Sequence, residues 1–269
     1  YHPMPVIVVS SLTRAGSEPA LEALALGAVD VMQKPGTAYS AGRLGRELGA
    51  RLKAAAGANV TRRTPPATAG RRPALSRTTR KIVAMGSSTG GTRALQDILT
   101  ALPANSPGIV ITQHMPAAFT QSFAQRVDKL CAVDVREAQD GDTIGSGLVL
   151  LAPGNRHLAV RRSGASYVAV VRDGPPIRFH KPSVDVLFKS VARAAGGNAV
   201  GVILTGMGDD GADGLLAMRK AGAHTIGQDE ATSVVYGMPR VAFERGAVQE
   251  QVPLEGVADA LLAAASRLV

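Results

Sequence analysis

The chain has 269 residues, 45% hydrophobic and 19% charged, and a formal net charge of +9. This is the composition of an ordinary globular protein, long enough for one large domain or two modest ones. No apolar run approaches the roughly 18 residues that span a bilayer, and Tyr1-His2-Pro3-Met4-Pro5 lacks the charged and apolar regions of a signal peptide, so no membrane insertion is expected. One cysteine, Cys131, excludes an internal disulfide and suits a reducing cytoplasm, the expected location. It is expected to be a buried, unreactive thiol. The positive charge does not point to nucleic acid. Six arginines (Arg62, Arg63, Arg71, Arg72, Arg77 and Arg80) lie in one stretch without an acidic residue, leaving only +3 for the rest of the chain. With Pro65, Pro66 and Pro73 that stretch, residues 57–80, reads as a solvated linker.

Before the linker, Val6 to Val9 has the β-branched pattern of a buried strand. A helix is expected to start around Ser17-Glu18-Pro19-Ala20 and to end at Gly27. Ala28 to Met32 gives a second strand, and residues 40 to 56 a second helix. So short a piece is too open to fold as a doubly wound domain by itself. After the linker, Lys81–Met85 and Gly108–Thr112 read as strands, followed by helices with Leu95, Ile98, Leu99 and Leu102, then Phe119, Phe123, Val127 and Leu130, on one face. Residues 133–172 read as short antiparallel strands joined by glycine turns. Alternation resumes with helix Ser183–Ala195, strand Ala199–Thr205, helix Gly211–Ala221, strand Ala223–Ile226 and a closing helix near Leu254–Leu268. The fold class is α/β: a doubly wound, mostly parallel sheet with an antiparallel β-hairpin subregion.

The chemistry collects at the strand ends. Gly86-Ser87-Ser88-Thr89-Gly90 fits the G-x-S-x-G turn that presents a nucleophilic serine between a strand and a helix, with Ser88 in the central position. The competing reading is a phosphate-binding turn, since Gly86 and Gly91 have P-loop spacing, but Thr92 stands where that loop needs lysine. A serine nucleophile needs a base, and His114 ends the second strand at the same sheet edge. His180 lies in a loop that can line a pocket, whereas His157 and His224 start strands and His2 lies in the leading piece. The loop Gly206-Met207-Gly208-Asp209-Asp210-Gly211-Ala212-Asp213 brings three carboxylates to that edge, any of which can orient the histidine. No metal-ligand spacing accompanies them, so neither metal nor cofactor is expected.

These residues resemble the CheB family of chemotaxis protein-glutamate methylesterases. The resemblance runs through Gly86–Gly91, Ile111-Thr112-Gln113-His114-Met115-Pro116, Ala152-Pro153-Gly154, His180-Lys181-Pro182-Ser183-Val184-Asp185-Val186-Leu187-Phe188, Leu204–Gly211 and Tyr236-Gly237-Met238-Pro239. It implies a Ser88–His114–Asp210 triad that hydrolyses γ-glutamyl methyl esters on the cytoplasmic helices of chemoreceptors, and in some members deamidates glutamine. It gives Met207 an oxyanion role, with Thr89 and His180 beside the substrate. It also implies that residues 1–56 are the C-terminal part of a receiver (flavodoxin-like) domain, with Ser10 and Lys34 as remnants of its switch. A full-length receiver would take its phosphoryl group from the chemotaxis histidine kinase. The phospho-accepting aspartate would lie earlier than this chain, so the chain is expected to be blind to a phosphodonor and its site to be open or erratically covered. A monomer is the default. Two other classes stay open: a small-molecule serine esterase or amidase, and a non-catalytic anion-binding α/β module.

Overall fold

The computed structural model describes residues 4–10, 14–34, 41–60 and 80–267; most of the expected linker, residues 61–79, lies outside the described residues. The leading piece forms β1 (Ile7–Ser10), α1 (Arg14–Ala25), β2 (Asp30–Gln33) and α2 (Ala41–Ala56), with β1 and β2 paired in parallel. The first helix begins at Arg14, earlier than Pro19 suggests, so this proline falls inside the helix.

The rest of the chain continues with β3 (Ile82–Ser87), α3 (Gly91–Thr100), β4 (Gly108–Gln113), α4 (Ala117–Asp128), β5 (Asp134–Glu137), β6 (Thr143–Ile144), β7 (Leu148–Leu151), β8 (His157–Ser163) and β9 (Ser166–Arg172). It ends with α5 (Val184–Ala195), β10 (Ala199–Ile203), α6 (Ala212–Lys220), β11 (His224–Gln228), α7 (Met238–Glu244), β12 (Glu250–Val252) and α8 (Leu254–Ser266). Seven strands form one parallel sheet in the order β12-β11-β10-β3-β4-β7-β5. The antiparallel subregion is smaller than residues 133–172: only β6, β9 and β8 belong to it. β7 reads Leu148-Val149-Leu150-Leu151 and is almost wholly buried, the continuous apolar run of a parallel strand, and β5 pairs with it at the sheet edge.

Alternate strand residues feed two cores, as the pleat requires. Val83, Met85, Ile109, Ile111, Val149 and Leu151 meet α1, α3, α4 and α8 on one face. Ile82, Ala84, Val110 and Leu150 meet α5, α6, α7 and the small antiparallel sheet on the other. Phe119 and Phe188, one in each core, are fully buried and contribute about 1.5–3 kcal/mol apiece. α5 packs so close to β3 that any side chain at Gly86 would collide with Val184, which explains a glycine in a fully buried strand.

The chain leaves β3 toward β4 on one side and returns later through β10 on the other. Between β3 and β10 the connections diverge, the point at which open parallel sheets place their ligand sites, at the carboxyl ends of the strands.

Candidate active site

Ser88 follows β3 directly and is 9% exposed. Its N–H donates to the Thr205 carbonyl at 3.0 Å, and its own carbonyl accepts from Gly91 N–H at 2.7 Å. The turn closes through Gly90, whose φ of 79° caps α3 in the left-handed region that glycine enters without strain. His114 follows β4 and stays in register with β3, its N–H donating to the Ser87 carbonyl at 3.1 Å. Ser88 and His114 therefore leave adjacent strands at the same level.

Gln113 fastens the two together. Its side-chain oxygen accepts from Ser87 Oγ at 2.6 Å, and its amide nitrogen donates to the carbonyls of Ser88 at 2.9 Å and His114 at 3.1 Å. A side chain at Gly91 would collide with Gln113 and Ser87, so the second glycine of Gly90-Gly91 makes room for this clamp.

Asp210 is 1% exposed, at the end of the β10 loop. Its Oδ2 accepts from His114 Nε2 at 2.9 Å and Val184 N–H at 2.7 Å; its Oδ1 accepts from Ser183 Oγ at 2.8 Å and Asp185 N–H at 3.1 Å. The carboxylate thus sits on the positive N-terminus of α5, whose N-cap is Ser183. Burial alone would raise its pKa, but the hydrogen bonds from His114, Val184 and Asp185 hold it at about 2, below the ordinary 3.8. Above 3.8 this ion stabilises the fold, and the stabilisation is lost as the pH falls through 2. Asp209 and Asp213 stand apart, half-exposed and bound to Arg178 and Arg245.

With Nε2 given to Asp210, His114 Nδ1 is buried with no hydrogen-bond partner among the described residues. His180 stacks on the other ring: the imidazole centroids are 3.8 Å apart and nearly parallel. Burial, and next the His114 ring, push the His180 pKa down to about 3 from its ordinary 6.5. Between about 6.5 and 3 the unfolded chain then binds more protons than the folded one, so stability falls as pH is lowered through that window. His180→Phe keeps an aromatic stack and removes the proton site. Its melting temperature is expected to drop several degrees less than wild type between pH 7 and pH 4; parallel melting curves would contradict the assignment.

The remaining expected residues are placed as follows. Met207 is half-buried in the β10 loop. Thr89 is buried, but its hydroxyl donates to Asp30 Oδ2 at 2.8 Å. Gly90 N–H donates to the Val29 carbonyl at 2.9 Å, so the start of β2 lies against the Ser88 turn. Arg51 of α2 completes the contact by pairing with Asp30 at 2.8 Å. Ser10 and Lys34 lie together at the ends of β1 and β2, Lys34 N–H donating to the Ser10 carbonyl at 2.7 Å. Cys131 is half-buried, and burial pushes its thiol up to about 12, which leaves it protonated and inert. No sequence motif marks Gln113, Ser183, Asp30 or His157 as supports of the site. His157 Nδ1 accepts from Ser183 N–H at 3.2 Å and so steadies the cap that holds Asp210.

The CheB methylesterase family model matches residues 83–261, which include the carboxyl ends of β3, β4 and β10 that carry Ser88, His114 and Asp210. The chain belongs to this family. Protein-glutamate methylesterase/protein-glutamine glutaminase 4 of Anaeromyxobacter dehalogenans is 58% identical over 265 residues, covering 97% of this chain and 74% of the relative. The Pseudomonas aeruginosa protein-glutamate methylesterase/protein-glutamine glutaminase 2 is 53% identical over 272 residues, covering 98% and 77%. Among solved structures, the Thermotoga maritima CheB methylesterase catalytic domain superposes with a TM-score of 0.66 at 37% identity, covering 68% of this chain and 97% of that one.

Proposed function

We propose that this CheB-family chain is a serine hydrolase that demethylates γ-glutamyl methyl esters of chemoreceptors in chemotaxis, and that it deamidates glutamine side chains at the same site. The observation that carries the reading is the buried Nδ1 of His114, without a hydrogen-bond partner among the described residues, on a ring whose Nε2 is bound to Asp210. Donating Nε2–H to a carboxylate fixes the neutral tautomer with a lone pair on Nδ1. A hydroxyl brought to that nitrogen is activated, and Ser88 directly follows the neighbouring strand at the same level.

In the proposed cycle Ser88 Oγ attacks the ester carbonyl while His114 Nδ1 takes its proton. The imidazolium formed is stabilised by Asp210, which α5 keeps ionised. Collapse of the tetrahedral intermediate breaks the C–O bond, and His114 returns the proton to the departing methoxide as methanol. Water, with its proton taken by His114, then attacks the acyl-enzyme, releasing glutamate and restoring Ser88. A glutamine follows the same path and releases ammonia. The backbone around Met207 and Thr89 is proposed to steady the developing oxyanion, and His180 to wall the substrate side of His114.

Residues 81–269 are assigned as the catalytic domain and 1–56 as part of a receiver domain, joined by the 57–80 linker. The chemotaxis histidine kinase is the partner assigned to a full-length receiver. Among the described residues no helix is long and apolar enough to cross a membrane; the cytoplasm, where the receptor helices lie, is the proposed location. The test is methanol release from a methylated receptor cytoplasmic fragment incubated with the full chain. Stoichiometric methanol with restored glutamate is expected. Hydrolysis of small esters without any methanol from the receptor would instead make the chain a small-molecule esterase.

A further inference from the structure

Beside the site, residues Ile177 to His180 form a tight turn in which Ile177 N–H donates to the His180 carbonyl at 3.0 Å and His180 N–H to that of Ile177 at 2.8 Å. Its two central residues, Arg178 and Phe179, have φ values of 49° and 68°. Hairpin turns of this hand favour glycine and asparagine, because other side chains are strained there. Both neighbours of Phe179 are anchored. The Arg178 guanidinium is gripped by Asp209 and Asp213 and reaches Asp185 at 3.6 Å, and the His180 ring lies on His114. Phe179 itself is 95% exposed, more than any other large hydrophobic side chain among the described residues. Of the five phenylalanines in the chain, Phe119, Phe123 and Phe188 are buried and Phe243 is half-exposed.

We propose that Phe179 is a substrate-recognition contact, packing against apolar side chains of the polypeptide that carries the glutamyl ester. The inference rests on the function proposed above. The turn backbone that carries Phe179 is anchored on both sides, so binding costs little beyond the two side-chain rotations of the ring, and few rotations per contact area are what make aromatic residues effective interface anchors. Its placement selects a macromolecular partner. Ser88 lies recessed at 9% exposure, whereas Phe179 stands in solvent one residue from the ring that covers His114. A small ester seated at Ser88 does not need to reach it; a polypeptide threading its side chain inward passes over it.

The experiment compares wild-type full chain with Phe179→Asn, Phe179→Ala and Phe179→Leu on two substrates, a methylated receptor cytoplasmic fragment and p-nitrophenyl acetate. Asparagine tolerates positive φ and so preserves the turn while removing the ring. The Asn and Ala variants are expected to raise KM for the receptor fragment roughly tenfold with kcat little changed. Small-ester hydrolysis stays at the wild-type level, and Leu retains most of the affinity. Unchanged KM on the receptor fragment overturns the proposal. So does an equal loss on both substrates, which would mean that the residue acts through His180 and the turn. If wild type itself releases no methanol from the receptor, the functional reading fails and this proposal with it; if only the variant comparison is flat, the proposal alone fails.

Discussion

Ser88→Ala is expected to lower ester hydrolysis by at least about 10⁴-fold while leaving the fold intact. The backbone interactions that define the turn are untouched, because Ser88 N–H still donates to Thr205 and its carbonyl still accepts from Gly91 and Gln113. The melting temperature should therefore move by no more than about 2 °C, the usual range for a change that breaks no buried contact. Both readouts are needed. A rate loss accompanied by unfolding says nothing about the nucleophile. A folded variant with substantial activity would remove Ser88 from the chemistry and leave the turn only Ser87, whose hydroxyl is locked onto Gln113.

Asp210→Asn carries the next largest effect, a fall in kcat of roughly 10⁴-fold. The carboxylate has two backbone donors on different oxygens, Val184 N–H on Oδ2 and Asp185 N–H on Oδ1. An asparagine must turn its NH₂ toward one of them. Neither backbone N–H can rotate away, so one buried donor–donor conflict follows, costing about 1–3 kcal/mol of stability. If the NH₂ takes the Oδ2 place it also faces His114 Nε2, which then has no acceptor and loses its preferred tautomer. Either arrangement removes the negative charge that stabilises imidazolium. Activity and thermal unfolding measured on the same preparation separate the two effects. Retention of kcat within tenfold would show that Asp210 only supports the α5 cap.

The parts of this site legible in the sequence share one physical origin. Parallel strands put their carboxyl ends on one edge, so Ser88 after β3, His114 after β4 and the 206–213 loop after β10 were expected to converge from strand order alone. Choosing among Asp209, Asp210 and Asp213 needed more, because all three lie in one glycine-rich loop. In the fold, the selection is made by α5: its N-terminus offers N–H groups to Asp210, while Arg178 and Arg245 draw Asp209 and Asp213 outward. Such contacts join segments about 25 to 35 residues apart, and no local pattern encodes them. Gln113 is silent in the sequence for the same reason, since its three side-chain bonds exist only once β3 and β4 are in register. β5 and β7 carry the sequence pattern of antiparallel strands because they are short and lie among glycine-containing turns. Their parallel pairing follows from long-range packing, with Val149 and Leu151 filling the same core as Ile109 and Ile111. The docking of Val29 and Asp30 on the Ser88 turn was equally out of reach, since residues 57–80 separate the two in sequence.

Covalent trapping addresses the nucleophile without depending on the choice of substrate. Treatment of the full chain with a fluorophosphonate, digestion with trypsin and mass spectrometry isolates the segment from Ile82 to Arg93, which holds Ser87, Ser88 and Thr89. One phosphonyl group on Ser88, formed in parallel with loss of esterase activity and slowed in Asp210→Asn, is the predicted result. Inactivation with the adduct on another residue, or full activity with Ser88 modified, would contradict the account.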